Sequence, residues 1–356
     1  MDTMPGQNST TVRSEKLGAA PTPDCGGTVV MQPGQDPASE AAWLGRDWRF
    51  ALLRAAMRGT SRVAPALAVS FFDRIWFTPP RPRHDPEAAR WLTRAEPMEC
   101  RVHGRTVRAW AWGKGPTVLL MHGWGGNAAQ MRVPTEALLQ RGLRVVGFDA
   151  PAHGRSGPSR LGRRRVSMIE LADALRVVAA AAGPLAGLVA HSGGCTAAGL
   201  ALREGWTGPE RAVFVAPFAQ PSLALAPFGR AIGASNAVTE RFSQRVQRQF
   251  GRPWTEFDMT GLPPLRALPE ALVVHDAGDR EVPAFHGRAL VAAWPGARWL
   301  ETGGLGHRRV LRDPGVASAI AGFIAAGQPA VASTPADDRD ELDRHFAAAC
   351  AISDPH

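Results

Sequence analysis

Five short apolar runs, Thr117–Met121, Leu143–Phe148, Leu185–Ala190, Ala212–Val215 and Ala271–Val274, punctuate the middle of the chain, with a weaker sixth at Ala297–Leu300. They are apolar at nearly every position rather than at alternate ones, the pattern of strands covered on both faces. Helical patterns separate most of them, and Ser167–Glu170 forms a capping box opening a helix that runs to about Ala182. Repeated strand–helix units with short connections predict an α/β fold with a mostly parallel central sheet flanked by helices. Ahead of these runs, Glu99–Val102 and Thr106–Trp112 flank a His103–Gly104 turn and predict a hairpin.

The predicted domain covers residues 96–327. Residues 1–39 and 328–356 are rich in small and polar residues; the first read as a disordered tail and the second as a flexible one, with a weak helix predicted at Leu342–Ile352. Residues 40–95 form an N-terminal helical extension. One stripe, Leu44, Trp48, Ala51, Leu52 and Ala55, ends at Gly59 and Ser61; a second, Leu67, Phe71, Phe72, Ile75 and Trp76, ends at Pro79–Pro80. This pair is expected to pack on the main domain; its aromatic stripe over 62–77, flanked by basic residues, leaves a membrane-surface or dimer contact as the less favoured reading. One connection is too long for the strand–helix rhythm. Within 217–269, Val238, Phe242, Val246 and Phe250 recur every fourth residue, an amphipathic helix that either packs on the domain or forms a lid whose apolar face shapes a substrate pocket.

Composition removes several classes. At 45% hydrophobic residues the chain has material for a sizeable core. Its most apolar long run, Val63–Phe72, is too short for a membrane span. Cys25, Cys100, Cys195 and Cys350 are scattered without metal-ligand spacing, so neither a disulfide scaffold nor a metal centre is expected, and no cofactor is required. The net charge of +9 is almost entirely arginine, with lysine only at 16 and 114, and no basic stripe interleaved with aromatics accompanies it; nucleic acid is not an expected partner. No secretory leader pattern is visible and the cysteines suit a reducing compartment, which makes the cytoplasm the default expectation.

Four motifs sit at strand ends. Ala190-His191-Ser192-Gly193-Gly194 follows a strand and opens a small-residue helix, presenting the Ser192 hydroxyl on a sharp turn above a helix N-terminus. His122-Gly123-Trp124-Gly125-Gly126 follows the first run; the N–H groups of Trp124 and Gly193 are the candidate donors to an oxyanion. His275-Asp276-Ala277-Gly278-Asp279 follows the fifth run. Two aspartates compete there: Asp279 is preferred as the carboxylate that orients a histidine, and Asp276 suits a cap or brace for the loop. Gly304-Leu305-Gly306-His307 lies between the weak last strand and the final helix, and its imidazole is placed to accept a serine proton; His286, seven residues past Asp279, is a poor rival.

Together these motifs resemble the α/β-hydrolase family, in the chain order Ser192, Asp279, His307. Phe148-Asp149-Ala150-Pro151-Ala152-His153-Gly154-Arg155-Ser156 is similar to the family's D-x-P-G-H-G-x-S loop, with Ala152 in place of a glycine; Ala190 likewise replaces the first glycine of G-x-S-x-G. The resemblance implies an α/β-hydrolase fold over 96–326 with a lid at 217–269, and a serine hydrolase acting on a small-molecule carboxylic ester through a Ser-His-Asp triad and an acyl-enzyme. An acyltransferase or thioesterase on the same triad, or a silent ligand-binding protein, are the alternatives. Serine at the turn argues against the members with an aspartate nucleophile, and Cys195 reads as a small buried residue. His122, His191, Phe218, Val238 and Phe242 are expected to shape an apolar pocket, with Trp124 and Phe228. The cluster Arg160, Arg163, Arg164 and Arg165 is a solvated loop or a site for an anionic substrate group.

Overall fold

The computed structural model of the protein describes residues 48–81, 85–263 and 268–327. Expectations for the two tails, Leu44, Cys25, Cys350 and the Leu342–Ile352 helix lie outside the described residues.

Eight strands form one sheet: β1 Glu96–Val102, β2 Arg105–Trp112, β3 Thr117–Met121, β4 Arg144–Phe148, β5 Leu185–His191, β6 Arg211–Val215, β7 Glu270–Asp276 and β8 Arg298–Thr302, in the order β1-β2-β4-β3-β5-β6-β7-β8. The first hairpin and the β2–β4 pair are antiparallel; every pairing from β4 to β8 is parallel. His103 and Gly104 close the hairpin with φ of 49 and 75°, the double left-handed turn that matches strand twist.

Residue alternation along the strands feeds two cores. Leu119, Met121, Val146, Phe148, Leu188 and Phe214 face one layer, with helices α5 Met168–Ala182, α6 Gly193–Arg203 and α9 Phe285–Ala293. Val118, Leu120, Val145, Val189, Val213 and Val274 face the other, with α4 Arg132–Leu139 and α11 Pro314–Ala325. A strand buried on both faces needs apolar residues at every position, which is why the runs were visible in the sequence. Ser167 caps α5 by accepting the Glu170 N–H at 3.3 Å.

The N-terminal helices are α1 Trp48–Val63 and α2 Pro65–Trp76; the short α3 Pro86–Leu92, capped by Asp85, follows them. α1 runs through Gly59 and Ser61 rather than ending there. The break falls at Ala64 (φ −141°, ψ 71°), because the residue before a proline is pushed out of helical geometry and Pro65 is suited to open the next helix. The inner face of α1 also differs from the expected stripe. Phe50, Leu53 and Met57 point inward, while Trp48, Ala51, Leu52 and Ala55 are exposed.

The pair packs on the insertion between β6 and β7. That insertion carries α7 Leu225–Ile232 and α8 Asn236–Phe250, and a third core joins the four helices. Phe72 stacks on Phe242 at 4.3 Å between centroids, and Trp76 meets Phe228 edge-on at 5.0 Å and Trp254 at 5.6 Å. The buried carboxylate of Asp73 is ion-paired with Arg165, and Val166 donates its N–H to the Phe77 carbonyl at 2.9 Å, tying α2 to the loop after β4. The aromatic stripe of α2 is therefore covered within the chain, although Val63 and Leu67 stay exposed. Among the described residues no helix is long and apolar enough to cross a membrane.

Phe72 is fully buried at the centre of this third core, so Phe72→Ala removes its stacking partner and leaves a cavity costing about 3–5 kcal/mol. The expected result is faster amide hydrogen exchange across α1, α2 and α8, with the strands unaffected. Uniform acceleration through the sheet would show that the helices and sheet unfold as one unit.

Candidate active site

The parallel register brings the functional loops to one level. Met121 pairs with Ala190, His191 with Val215, Val215 with Val274, and Asp276 with Thr302. Each pair ends a strand, so the residues that follow gather along one carboxyl edge. β3 lies between β4 and β5, where the chain reverses its direction of winding, and such points leave a crevice at that edge.

Ser192 occupies the turn from β5 to α6 with φ 53° and ψ −121°, a backbone shape that L-residues avoid. Three contacts hold it there: the Ser192 N–H donates to the Val215 carbonyl at 3.0 Å, and its own carbonyl accepts from Cys195 at 3.0 Å and Phe218 at 3.3 Å. Gly194 is required by close approach, since a Cβ there would lie 2.5 Å from the His122 carbonyl oxygen. Cys195 is buried, and its thiol donates to the Ala190 carbonyl at 3.2 Å.

Ser192, His307 and Asp279 form a hydrogen-bonded line. The Ser192 hydroxyl donates to His307 Nε2 at 2.9 Å, and His307 Nδ1–H donates to Asp279 Oδ2 at 2.7 Å. Asp279 Oδ1 accepts the N–H groups of Glu281 at 2.8 Å and Val282 at 2.9 Å, and His275, 3.4 Å from Oδ2, stands behind it. Burial works against the carboxylate, but hydrogen bonds from His275, His307 and the Val282 N–H outweigh it and hold Asp279 well below the usual carboxylate range. A hydroxyl in reach of an imidazole whose far nitrogen is fixed by a carboxylate can lose its proton as it attacks an electrophile.

Asp276 does not touch His307. Its Oδ1 accepts the Gly278 N–H at 3.0 Å, and its Oδ2 accepts the Thr302 hydroxyl and the Leu305 N–H, both at 2.9 Å. Its place is as a brace joining β7 to the loop before the short helix α10 Gly306–Arg309 that carries His307. His286 lies on α9, where its Nδ1 accepts the Gln220 N–H at 3.2 Å.

The loop after β3 leaves one amide open. Gly125 donates its N–H to His153 Nε2 at 3.0 Å and Gly126 donates to the Gly123 carbonyl at 2.9 Å, while the Trp124 N–H finds no acceptor among the described residues. The Gly193 N–H, first in α6, has no intrahelical acceptor. A Cβ on Gly193 would lie 3.5 Å from the Trp124 nitrogen, so the two amides are neighbours beside Ser192. Two polar groups from the Asp149 loop hold this arrangement. Asp149 accepts N–H groups from Ala128 and Arg155, both at 2.7 Å, and His153 donates Nδ1–H to Pro151 while gripping Gly125. Ala152 takes φ 61°, a left-handed conformation that suits the glycine it replaces.

A cavity of about 920 Å³ opens above Ser192 and His307, with α1, α2, α7 and α8 on its far side. Trp124, Gly193, His191 and Phe218 are on its wall. His122 is not: it is buried, donates Nδ1–H to the Gly123 carbonyl at 2.7 Å and accepts the Ala150 N–H at 3.0 Å, a strut between two loops. His191 Nε2–H donates to the His307 carbonyl at 3.0 Å, locking the His307 backbone to the serine turn. Val238 and Phe242 do not reach the cavity. Both side chains are fully buried, Phe242 against Phe72 of α2, and the insertion presents Phe228, Val246, Phe250 and Trp254 instead. The arginine cluster does not reach it either: Arg165 pairs with Asp73, the Arg160 N–H donates to Glu170 at 2.5 Å, and Arg163 and Arg164 are exposed.

Several residues reach the site in ways that the sequence did not signal. Trp76, Phe50, Leu53 and Arg54 line the cavity from helices outside the strand–helix core. His275 and His153 stood inside recognised motifs, but their contacts to Asp279 and Gly125 depend on folding.

No curated protein is significantly similar in sequence. Among solved structures, Est1E from Butyrivibrio proteoclasticus with ferulic acid bound is 17% identical, with a TM-score of 0.50 over 65% of this chain and 98% of that one. DcsB in complex with its substrate analogue is 15% identical, with a TM-score of 0.50 over 65% of this chain and 99% of that one. At these identities the likeness is one of fold. Residues 118–320, from β3 into α11, match the sequence pattern of the Alpha/beta hydrolase family, and with the eight-stranded sheet they establish that the chain belongs to it.

Proposed function

We propose that the protein is a serine hydrolase that cleaves carboxylic esters of apolar acyl groups through a covalent acyl-enzyme. The observation that carries this reading is the line from Ser192 Oγ through His307 to Asp279, at 2.9 and 2.7 Å, on the floor of the cavity. Family membership supports hydrolase chemistry, and the wall residues Trp76, Trp124, Phe218 and Phe228 suit a small apolar substrate.

In this cycle Ser192 Oγ attacks the ester carbonyl while His307 Nε2 takes its proton. The oxyanion is held by the N–H groups of Trp124 and Gly193. Collapse breaks the bond to the alkoxide, which leaves with the proton from His307. Water then adds to the acyl-enzyme, His307 again accepting a proton, and the acid departs as Ser192 regains it. Asp279 stays ionised throughout and stabilises the imidazolium. The insertion and the α1–α2 pair together act as the lid that excludes bulk water.

A fluorophosphonate phosphonylates an activated serine without regard to substrate preference. The expected result is one adduct, located on Ser192 by peptide mass spectrometry and lost in Ser192→Ala and His307→Ala. A folded protein that takes up no label, or takes it up on another serine, would end this reading.

A further inference from the structure

The wall of the cavity carries an imbalance of charge. Arg54, Arg81, Arg230, Arg280, Arg308 and Arg312 line it, against one acidic residue, Glu281. Glu281 is already engaged by Arg308 at 3.0 Å. None of the other five arginines has a carboxylate partner among the described residues.

Two of them lie on helices that meet at one seam. Gly233 ends α7 with φ 84°, and a Cβ there would lie 2.9 Å from the Arg54 carbonyl oxygen, so α7 abuts the backbone of α1 at Arg54. Arg230 is one turn earlier on α7. The Arg54 Nε–H is buried and donates to nothing among the described residues. A buried guanidinium N–H without an acceptor is costly, and a group that supplied oxygens would remove the cost. The nearby wall is apolar, with Phe50, Leu53, Phe228 and Ile232, which strengthens any charge pairing made there.

We propose that Arg54 and Arg230 form a subsite for an anionic group, a carboxylate or a phosphate, at one end of an otherwise apolar substrate. Guanidinium donors pair with such groups through two parallel hydrogen bonds, so the subsite selects for an oxyanion rather than for negative charge in general. The N-terminal helices then supply specificity as well as cover. The site deepens the ester-hydrolase reading, and its test is a binding measurement that does not depend on turnover.

The test uses full-length Ser192→Ala protein and calorimetric titration with three probes: octanedioic acid monoanilide, its neutral counterpart octanoic anilide, and octanoyl-coenzyme A. The monoanilide is expected to bind at least about tenfold more tightly than the neutral anilide. Arg54→Gln or Arg230→Gln should reduce that preference to less than about threefold, with Arg54→Lys keeping part of it, since a lysine retains charge without the fork. If the thioester binds more tightly than the monoanilide and loses that advantage in the same variants, the oxyanion is a phosphate; if not, it is a carboxylate. Equal affinity of the parent for the two anilides, or equal weakening of both by the substitutions, would overturn the proposal. Arg230 is exposed, so its replacement reads the subsite even if Arg54→Gln disturbs the α1–α7 seam. Loss of serine labelling with the carboxylate preference intact would remove the hydrolase and leave the subsite.

Discussion

Ser192→Ala and His307→Ala are each expected to lower kcat on a p-nitrophenyl ester by about 10⁶-fold, and Asp279→Asn by about 10⁴-fold. In the proposed cycle the first two remove the nucleophile and its base, and residues acting as a unit give losses that do not add; the double variant should be no slower than either single one. The asparagine works differently. Asp279 Oδ2 accepts Nδ1–H of His307 at 2.7 Å, which leaves Nε2 bare toward Ser192. An amide NH₂ facing Nδ1 favours the opposite tautomer, with a proton on Nε2 where the base should be open. Asp276→Asn is the discriminating control. Asp276 braces Thr302 and Leu305 without touching His307, so its replacement should cost less than about 10²-fold in kcat while lowering the melting temperature. Stopped assays under single-turnover conditions check the series. A loss in Asp276→Asn equal to that in Asp279→Asn would transfer the orienting role to the brace.

The choice between these two aspartates illustrates how far the sequence is readable. Strands were legible because β3 to β7 are buried on both faces and must be apolar throughout. The candidate residues were legible because each stands immediately beyond such a run, and register brings the run ends to one edge. Partners of amphipathic faces were not legible. α8 offered a face of Val238, Phe242 and Val246, and periodicity says that such a face is buried without saying against what; Phe242 went to Phe72 of α2, and of the three only Val246 reaches the cavity. α1 is apolar on more than one side, so Leu52 and Leu53 could each have led the inner stripe, and packing on α7 at Gly233 selected the face with Leu53. The arginines behaved likewise. The sequence showed a cluster at 160–165, whereas the cavity gathers arginines from α1, α7, and the loops beside Asp279 and His307 that are distant in the chain.

Acidification should destabilise the folded protein. Burial lowers the pKa values of His122 and His286 to about 4 and those of His153 and His191 to about 3, so the folded state keeps all four neutral. In the unfolded chain each returns to an ordinary value near 6.5. The sign follows from linkage: above pH 6.5 neither state holds the extra protons and stability is intact, while below it the unfolded chain takes up protons that the folded one refuses. With four groups the loss approaches on the order of 5 kcal/mol per pH unit near pH 5, and each contribution stops growing once the pH passes below that group's folded value. Asp149 and Asp258, raised by burial, act in the opposite sense, since they take up protons when folded. A typical stability of 5–15 kcal/mol is about what that slope removes within two or three pH units. Three of the four histidines hold the loops around Ser192 through single neutral tautomers: His122 and His153 each donate from Nδ1 and accept at Nε2, and His191 holds the His307 carbonyl. Protonating His122 or His153 therefore sets a second N–H against the amide it was accepting. Urea unfolding at pH 7, 6 and 5, followed by fluorescence of the tryptophans, should show midpoints falling steeply between the last two values, with net proton uptake on unfolding. A midpoint that stays constant from pH 7 to pH 5 would mean that these histidines are not held neutral by the fold.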